Sequence, residues 1–126
     1  MKISKKYIFC MAILGLTANS FAQTGKKKTA LVKKVNSSVT ADIETGKALI
    51  QKSDCMTCHK LDVKLIGPAF KQVAAKYPAT ESTYASLAAR IIAGGSGVWG
   101  QIPMASHSSL SPADAKKMTR YILSLK

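Results

Sequence analysis

Long apolar runs, acidic residues and cysteines are all scarce in this chain of 126 residues. The one extended apolar run, from Tyr7 to about Leu16, covers about ten residues, whereas a helix that crosses a bilayer needs about 20. Regular alternation of apolar and polar residues is also scarce, which argues against a fold built mainly from strands. A chain this short has no room for a second hydrophobic core, so we expect one small domain.

The positive charge is large but unevenly placed. Six acidic residues stand against 19 lysines and arginines, which gives a formal net charge of +13. All six acidic residues lie beyond Thr40, so the region that follows Thr40 is only mildly basic. The excess is carried by the lysines of the first 34 residues, which are Lys2, Lys5, Lys6, Lys26, Lys27, Lys28, Lys33 and Lys34. We therefore expect no binding of nucleic acid, which usually requires a basic patch on the folded domain.

The first 22 residues have the three parts of a secretory signal peptide. Lysines precede the apolar run, and Ser20-Phe21-Ala22 supplies the small residues that a signal peptidase requires. We expect cleavage after about Ala22 and a periplasmic location. Cys10 lies inside the apolar run and lacks the small residues of a lipoprotein cleavage site, so we expect it to be removed with the signal.

Residues 23–40 are rich in lysine, serine, threonine and glycine and contain no aromatic residue. Such a segment buries too little apolar surface to offset the entropy lost on ordering. We expect a flexible basic linker that ends before the folded domain. It is either a solvated spacer or an electrostatic tether that brings the protein to a partner or, peripherally, to an anionic membrane surface.

The remaining residues, 41–126, predict an all-α domain of about four short helices joined by long loops. The first helix is expected from about Glu44 to Ser53, and the second from about Pro68 to Tyr77, before Pro78. The third runs from about Ser82 to Ala93 and ends at a glycine pair, and the last begins with Ser111 as N-cap. The residues expected on the inner faces are Gly46, Ala48, Leu49, Phe70, Val73, Ala74, Leu87, Ile91, Ile92, Met118, Tyr121, Ile122 and Leu125.

The strongest chemical signal is Cys55-Met56-Thr57-Cys58-His59, the C-x-x-C-H pattern of c-type haem attachment. On a helix, residues three and four apart share a face, so both thiols can reach the haem vinyl groups while His59 turns to the iron. A thioredoxin-like redox pair would require a βαβ context, which is absent. A zinc site would require further ligands, and His107 is the only other histidine. Haem attachment is therefore the favoured interpretation.

The iron of an electron carrier usually has a second axial ligand, either methionine or histidine. Met104 lies in a predicted irregular loop well beyond the attachment motif. Met118 lies on the apolar face of the last helix, where a core role explains it. His107 stands in a polar loop, and a solvent-exposed side chain is the simpler interpretation.

At this point the sequence resembles the small monohaem bacterial cytochromes c of class I. The resemblance rests on the attachment motif and then, in order, on Gly67-Pro68-Ala69-Phe70, on residues 94–104 with Trp99 and Met104, and on residues 121–126. It covers nearly all of residues 44–126 and implies the class I cytochrome c fold, wrapped around one covalently bound haem c.

The resemblance also implies roles for individual residues. Met104 would be the distal iron ligand, and the Pro68 carbonyl would accept a hydrogen bond from His59. Trp99 would lie near a haem propionate, and Tyr121 would pack across the first helix near Gly46. The chain departs from the resemblance at residues 105–106, which are alanine and serine where relatives often carry prolines.

The resulting hypothesis is a single-electron carrier that is not itself an enzyme. Its redox partners would present acidic docking surfaces to a ring of basic residues around the haem edge. Two alternatives stay open from the sequence. One is a haem enzyme or gas sensor in which the distal methionine is labile, and the other is the haem domain of a larger oxidoreductase complex.

Overall fold

A computed structural model describes the backbone of residues 24–126 and the side chains from Asn36 onward. The proposed signal peptide and Cys10 lie outside the described residues. Within the described part, one compact unit extends from Lys34 to Lys126, and none of its helices is long and apolar enough to span a membrane. The elements, in chain order, are α1 (Thr24–Lys52), α2 (Cys55–Cys58), α3 (Phe70–Lys76), α4 (Glu81–Ala93), β1 (Gly95–Gly97), β2 (Gly100–Met104) and α5 (Pro112–Leu123).

Helix α1 begins far earlier than the sequence predicts. Residues 24–40, expected to be a flexible linker, are helical and continuous with the predicted first helix. The range Thr24–Lys52 contains no proline, and the Thr40 hydroxyl donates to the carbonyl of Asn36 one turn earlier (3.0 Å). Nothing in this stretch therefore ends a helix, even though Asn36, Ser37 and Ser38 stay exposed. The role of residues 23–40 as a linker remains a prediction.

The core lies where the carboxyl-terminal half of α1 meets α3, α4 and α5. Its buried large apolar residues are Ile50, Phe70, Ile91, Met118, Ile122 and Leu123. Four of them were predicted. Ala48, also expected to face inward, is exposed, and Ile50 is buried instead. The reason is the contact at Gly46, where an added Cβ would collide with the backbone of Lys117 on α5. That approach turns Gly46 and Ile50, four residues apart, toward the core and Ala48 away from it.

The helix ends follow the expected capping residues. The Thr80 side chain accepts from the backbone N–H of Thr83 at the start of α4 (3.3 Å), and Gly94 ends that helix with a φ of +72°. Ser111 accepts from the N–H of Asp114 at the start of α5 (3.1 Å). Helix α3 begins at Phe70 and not at the predicted Pro68, because Ala69 is extended and serves as the N-cap, while the Pro68 carbonyl bonds to His59. These caps set where each loop around the site begins.

A small antiparallel hairpin, β1–β2, occupies the region that the sequence predicts to be an irregular loop. Gly95 pairs with Met104 and Gly97 pairs with Gly100, with a bulge between the two pairs. Strand β1 is Gly-Ser-Gly and lacks the β-branched and aromatic residues that mark strands. Gly97 has a φ of +103°, which a side chain would strain. The pairing of Gly95 with Met104 places Met104 beside the end of α4.

Candidate functional site

The attachment motif forms a single helical turn, α2, as the predicted approach of both thiols to one ligand requires. The backbone N–H of His59 donates to the carbonyl of Cys55 (3.0 Å), which closes the turn. Cys55 and Cys58 are half-buried and are not joined to each other. Both line the same cavity. Two free thiols three residues apart on one turn are therefore available for bonds to one ligand.

The imidazole of His59 is oriented by the segment that follows it. Its Nδ1 lies 2.7 Å from the carbonyl oxygen of Pro68, so Nδ1 donates and Nε2 is left to bind elsewhere. The ring stacks on Phe70, with centroids 5.2 Å apart and planes inclined by 13°. An added Cβ at Gly67 would collide with the ring, and the N–H of Gly67 donates to the carbonyl of Cys58 (2.8 Å). The absence of a side chain at position 67 thus leaves room for the imidazole.

A cavity of about 420 Å³ lies beside these groups. All six residues that the sequence analysis selected line it, which are Cys55, Cys58, His59, Pro68, Trp99 and Met104. Four exposed apolar residues that were not predicted as site residues also line it, namely Leu65, Ile66, Val98 and Ile102. Isolated apolar residues in a loop or a short hairpin carry no sequence signal of their own. Their position around the cavity indicates an apolar occupant of considerable size.

Met104 and Met118 lie in different surroundings. Met104 is half-buried at the end of β2, whereas Met118 on α5 is 1% exposed and belongs to the core. Both side chains reach the cavity wall. The core role predicted for Met118 is confirmed. Met104 is the methionine whose backbone is held by the hairpin, through its pairing with Gly95.

The prediction that His107 is solvated was wrong. Its side chain is only 17% exposed, and its Nε2 lies 3.1 Å from Oδ1 of Asp54. The backbone N–H of His107 donates to the carbonyls of Ile91 and Ile92 at the end of α4 (3.2 and 3.1 Å). The last carbonyls of a helix have no partner within the helix, and here the bond from His107 draws the serine-rich loop toward them. Because the bond forms only in the folded chain, no local sequence pattern predicts it. His107 also lines the cavity.

Trp99 lies in the turn between β1 and β2 and is half-buried. Its ring meets Tyr77 edge-on, with centroids 6.5 Å apart, and the ammonium of Lys76 lies 5.2 Å from the ring centroid. Two further cations, Lys64 and Arg90, line the cavity. Lys76 therefore brings positive charge beside Trp99, and Lys64 and Arg90 bring it to the cavity wall.

The donor set fits a covalently attached haem. Two thiols project from one turn, an imidazole is oriented by its Nδ1 bond, and a thioether comes from a separate segment, all around an apolar cavity. Thiols bond to the haem vinyl groups, while imidazole and thioether are common axial ligands of haem iron. A helical domain built around such a site defines the class of c-type haem proteins.

Comparison with known proteins agrees with this class. Residues 43–126 match the family model described as cytochrome c, and the chain belongs to the cytochrome c family. Proteins of this family carry one covalently bound haem c with its iron, and the small relatives below identify the chain as an electron carrier.

Two small bacterial relatives illustrate the similarity. Cytochrome c-552 of Nitrosomonas europaea is 46% identical over 78 residues, which is 62% of this chain and 76% of the relative. Cytochrome c-551 of Azotobacter vinelandii is 47% identical over 83 residues, which is 66% of this chain and 100% of the relative.

Solved structures show the same fold. The crystal structure of wild-type Nitrosomonas europaea cytochrome c552 is matched with a TM-score of 0.59 and 45% identity, over 64% of this chain and 99% of that one. A class 1 cytochrome of Sideroxydans lithotrophicus is matched with a TM-score of 0.53 and 27% identity, over 67% and 96% of the two chains. The all-α class I cytochrome c fold expected from the sequence is therefore confirmed, with the β1–β2 hairpin added.

Proposed function

We propose that this protein is an exported, periplasmic single-electron carrier whose iron has His59 and Met104 as axial ligands. Cys55 and Cys58 would form the thioether bonds that hold the haem. The observation that carries the proposal is the bond from His59 Nδ1 to the Pro68 carbonyl, because it leaves Nε2 free inside the cavity that Met104 also lines. When bound, the haem supplies an iron that cycles between two oxidation states.

The residues of the chain would hold that iron in nearly the same surroundings in both states. The Pro68 bond and the Phe70 stack restrain the imidazole, and a hydrogen bond of this kind raises ligand basicity. The hairpin restrains the backbone of Met104. A thioether ligand favours the reduced iron and raises the potential. Because the ligands would move little on oxidation, these restraints favour rapid electron transfer over chemistry on a bound substrate. We therefore propose that the protein is not an enzyme.

Redox partners would approach the cavity edge. Lys64 and Arg90 line the cavity and Lys76 contacts Trp99, and these cations favour partners with acidic docking surfaces. Trp99 would stand close to a propionate of the haem, beside the Lys76 ammonium. Exposed apolar side chains of the loop after the attachment motif, Leu61 and Val63, would contribute a small contact area of the kind used in transient redox encounters.

A redox titration of the purified holoprotein, followed by visible absorbance, tests this proposal. A low-spin six-coordinate spectrum with a methionine–iron charge-transfer band and a single one-electron transition is expected. A high-spin spectrum, or a low-spin one that lacks that band, would exclude Met104 as the resting ligand. Fractionation of the expressing cells, with the mature amino terminus sequenced, tests export and cleavage after about Ala22.

A further inference from the structure

Asp54 and His107 form a contact between two segments that are 53 residues apart. His107 Nε2 donates to Asp54 Oδ1 over 3.1 Å. The aspartate side chain is 74% exposed, whereas the histidine side chain is 17% exposed. The bond thus joins a largely buried ring to a carboxylate at the surface.

Each partner is adjacent to a functional element of the site. Asp54 immediately precedes Cys55, and its carbonyl accepts from the N–H of Thr57 (2.9 Å), so it begins the attachment turn α2. His107 follows Met104 by three residues. The contact therefore connects the attachment turn directly to the loop that carries the methionine.

The carboxylate of Asp54 is not engaged in capping. Asp54 holds the N-cap position of α2, but its side chain makes no capping hydrogen bond to that helix. An aspartate at this position ordinarily caps the helix. Here its carboxylate faces His107, whose own backbone N–H is held by the carboxyl end of α4. His107 is thus fixed from two sides, by α4 through its backbone and by α2 through its ring.

Between Met104 and His107 the side chains of the loop add little restraint. Residues 105 and 106 are an alanine and a serine, both exposed, and no proline restricts the chain between Met104 and His107. A loop with few buried contacts opens readily unless specific bonds hold it. The bond from His107 is placed to supply that restraint.

We propose that Asp54 and His107 are positioning residues that keep the Met104 loop closed against the attachment turn. This inference rests on the proposed ligation by Met104. The cluster of Asp54, Cys55 and His107, whose ligand atoms lie within 4.8 Å of one another, is otherwise a candidate metal site. In the holoprotein the Cys55 sulfur would be bonded to the haem, which would leave the aspartate and histidine as a pair.

The affinity of the ferric holoprotein for imidazole measures opening of the loop, because added imidazole binds the iron only when Met104 has left it. Asp54→Ala and His107→Ala should each raise that affinity about two- to five-fold, the range of a partly exposed ionic hydrogen bond. The double variant should gain no more than the larger single variant. Asp54→Asn retains an acceptor oxygen and should lie closer to the wild type than Asp54→Ala does.

Asp62→Ala provides the matched control. Asp62 is another exposed aspartate near the attachment motif, but it pairs with Lys71 and not with the Met104 loop. Its replacement should leave imidazole affinity unchanged. Additive effects of Asp54→Ala and His107→Ala, or affinities within the error of the wild type, would overturn the proposal.

A second measurement separates this inference from the proposed ligation. Hydrogen exchange at the backbone N–H of residue 107 reports loop closure without reference to the iron. Asp54→Ala should accelerate that exchange by a similar two- to five-fold, and Asp62→Ala should not. If the wild type lacks the methionine–iron band while the exchange effect is present, the ligation fails and the positioning contact stands. If the band is present and exchange is unaltered, the positioning contact is wrong.

Discussion

Gly94 lies against the backbone of residues 104–106, so closely that an added Cβ would be 2.5 Å from the carbonyl oxygen of Met104. The same Cβ would be 2.9 Å from backbone atoms of residues 105 and 106. The φ of Gly94 is +72°, a value that side chains disfavour. The end of α4 and the position of Met104 are thereby coupled through backbone contact.

Gly94→Ala should therefore disturb Met104 as well as the helix end. Gly95 provides the control, because it also has positive φ (+121°) but has nothing within 4 Å of an added Cβ. Gly95→Ala should cost about 1–3 kcal/mol of unfolding free energy from backbone strain alone. Gly94→Ala should lower the unfolding free energy by more than this and should also weaken the methionine–iron band. Equal effects of the two variants on the band would contradict the steric argument.

Covalent attachment predicts that acid-acetone extraction leaves the haem on the protein. Replacement of both Cys55 and Cys58 by alanine should make any haem that the chain retains extractable, because neither thioether bond can form. Absorbance of the extracted and precipitated fractions measures the partition. Complete extraction from the wild type would refute the role of the two cysteines.

Replacement of Met104 by alanine should vacate the sixth position of the iron. The spectrum should shift toward a high-spin form that binds added imidazole or carbon monoxide, and the reduction potential should fall. Met118→Leu is the comparison, since a volume-conserving change in the core usually costs under about 1.5 kcal/mol. Met118→Leu should leave the methionine–iron band intact. His107→Ala should also retain that band in the absence of added ligand. A band that survives Met104→Ala would show that another residue is the ligand.

The segment 23–40 should contribute charge and not haem chemistry. A mature protein without these residues should keep its spectrum and potential, while its binding to vesicles of anionic lipid should weaken and become less sensitive to salt. Replacement of its five lysines by glutamine keeps the length and isolates the charge. A large shift of potential on deletion would mean that the segment affects the haem site.

Acid stability should depend on Glu81. The hydrogen bond from Lys116, followed by the charge of Arg120, lowers the pKa of this carboxyl below its ordinary value of 4.5, although partial desolvation opposes the effect. A carboxyl with a lowered folded-state pKa stabilises the protein above that ordinary value and loses its contribution as the pH falls. Glu81→Gln should therefore reduce unfolding free energy at neutral pH and flatten its decline on acidification. Denaturant unfolding between pH 7 and 3 measures this, with Glu44→Gln, an exposed glutamate of α1, as the comparison.

Local patterns were sufficient for most of the helices and for one side of the site. Capping residues such as Thr80 and Ser111, and the stop before Pro78, act within a few residues of their own position, so they can be read from the sequence. The attachment motif is equally local, because one turn of helix contains both cysteines. The sequence predicts α1 only from about Glu44, because residues 23–40 carry little apolar surface to bury, whereas the helix begins at Thr24 since no residue between them ends it.

The chain by itself determined the attachment turn, the helix boundaries after residue 68 to within two residues, and the set of residues that line the cavity on the side of the motif. Tertiary structure alone decided the hairpin at residues 95–104, the apolar rim and the burial of His107. Strand pairing between glycine-rich segments, the capture of the His107 N–H by α4 and the Asp54 contact all join residues that are distant in sequence. Their free energy arises only once the helices have packed, and for that reason no local pattern records them.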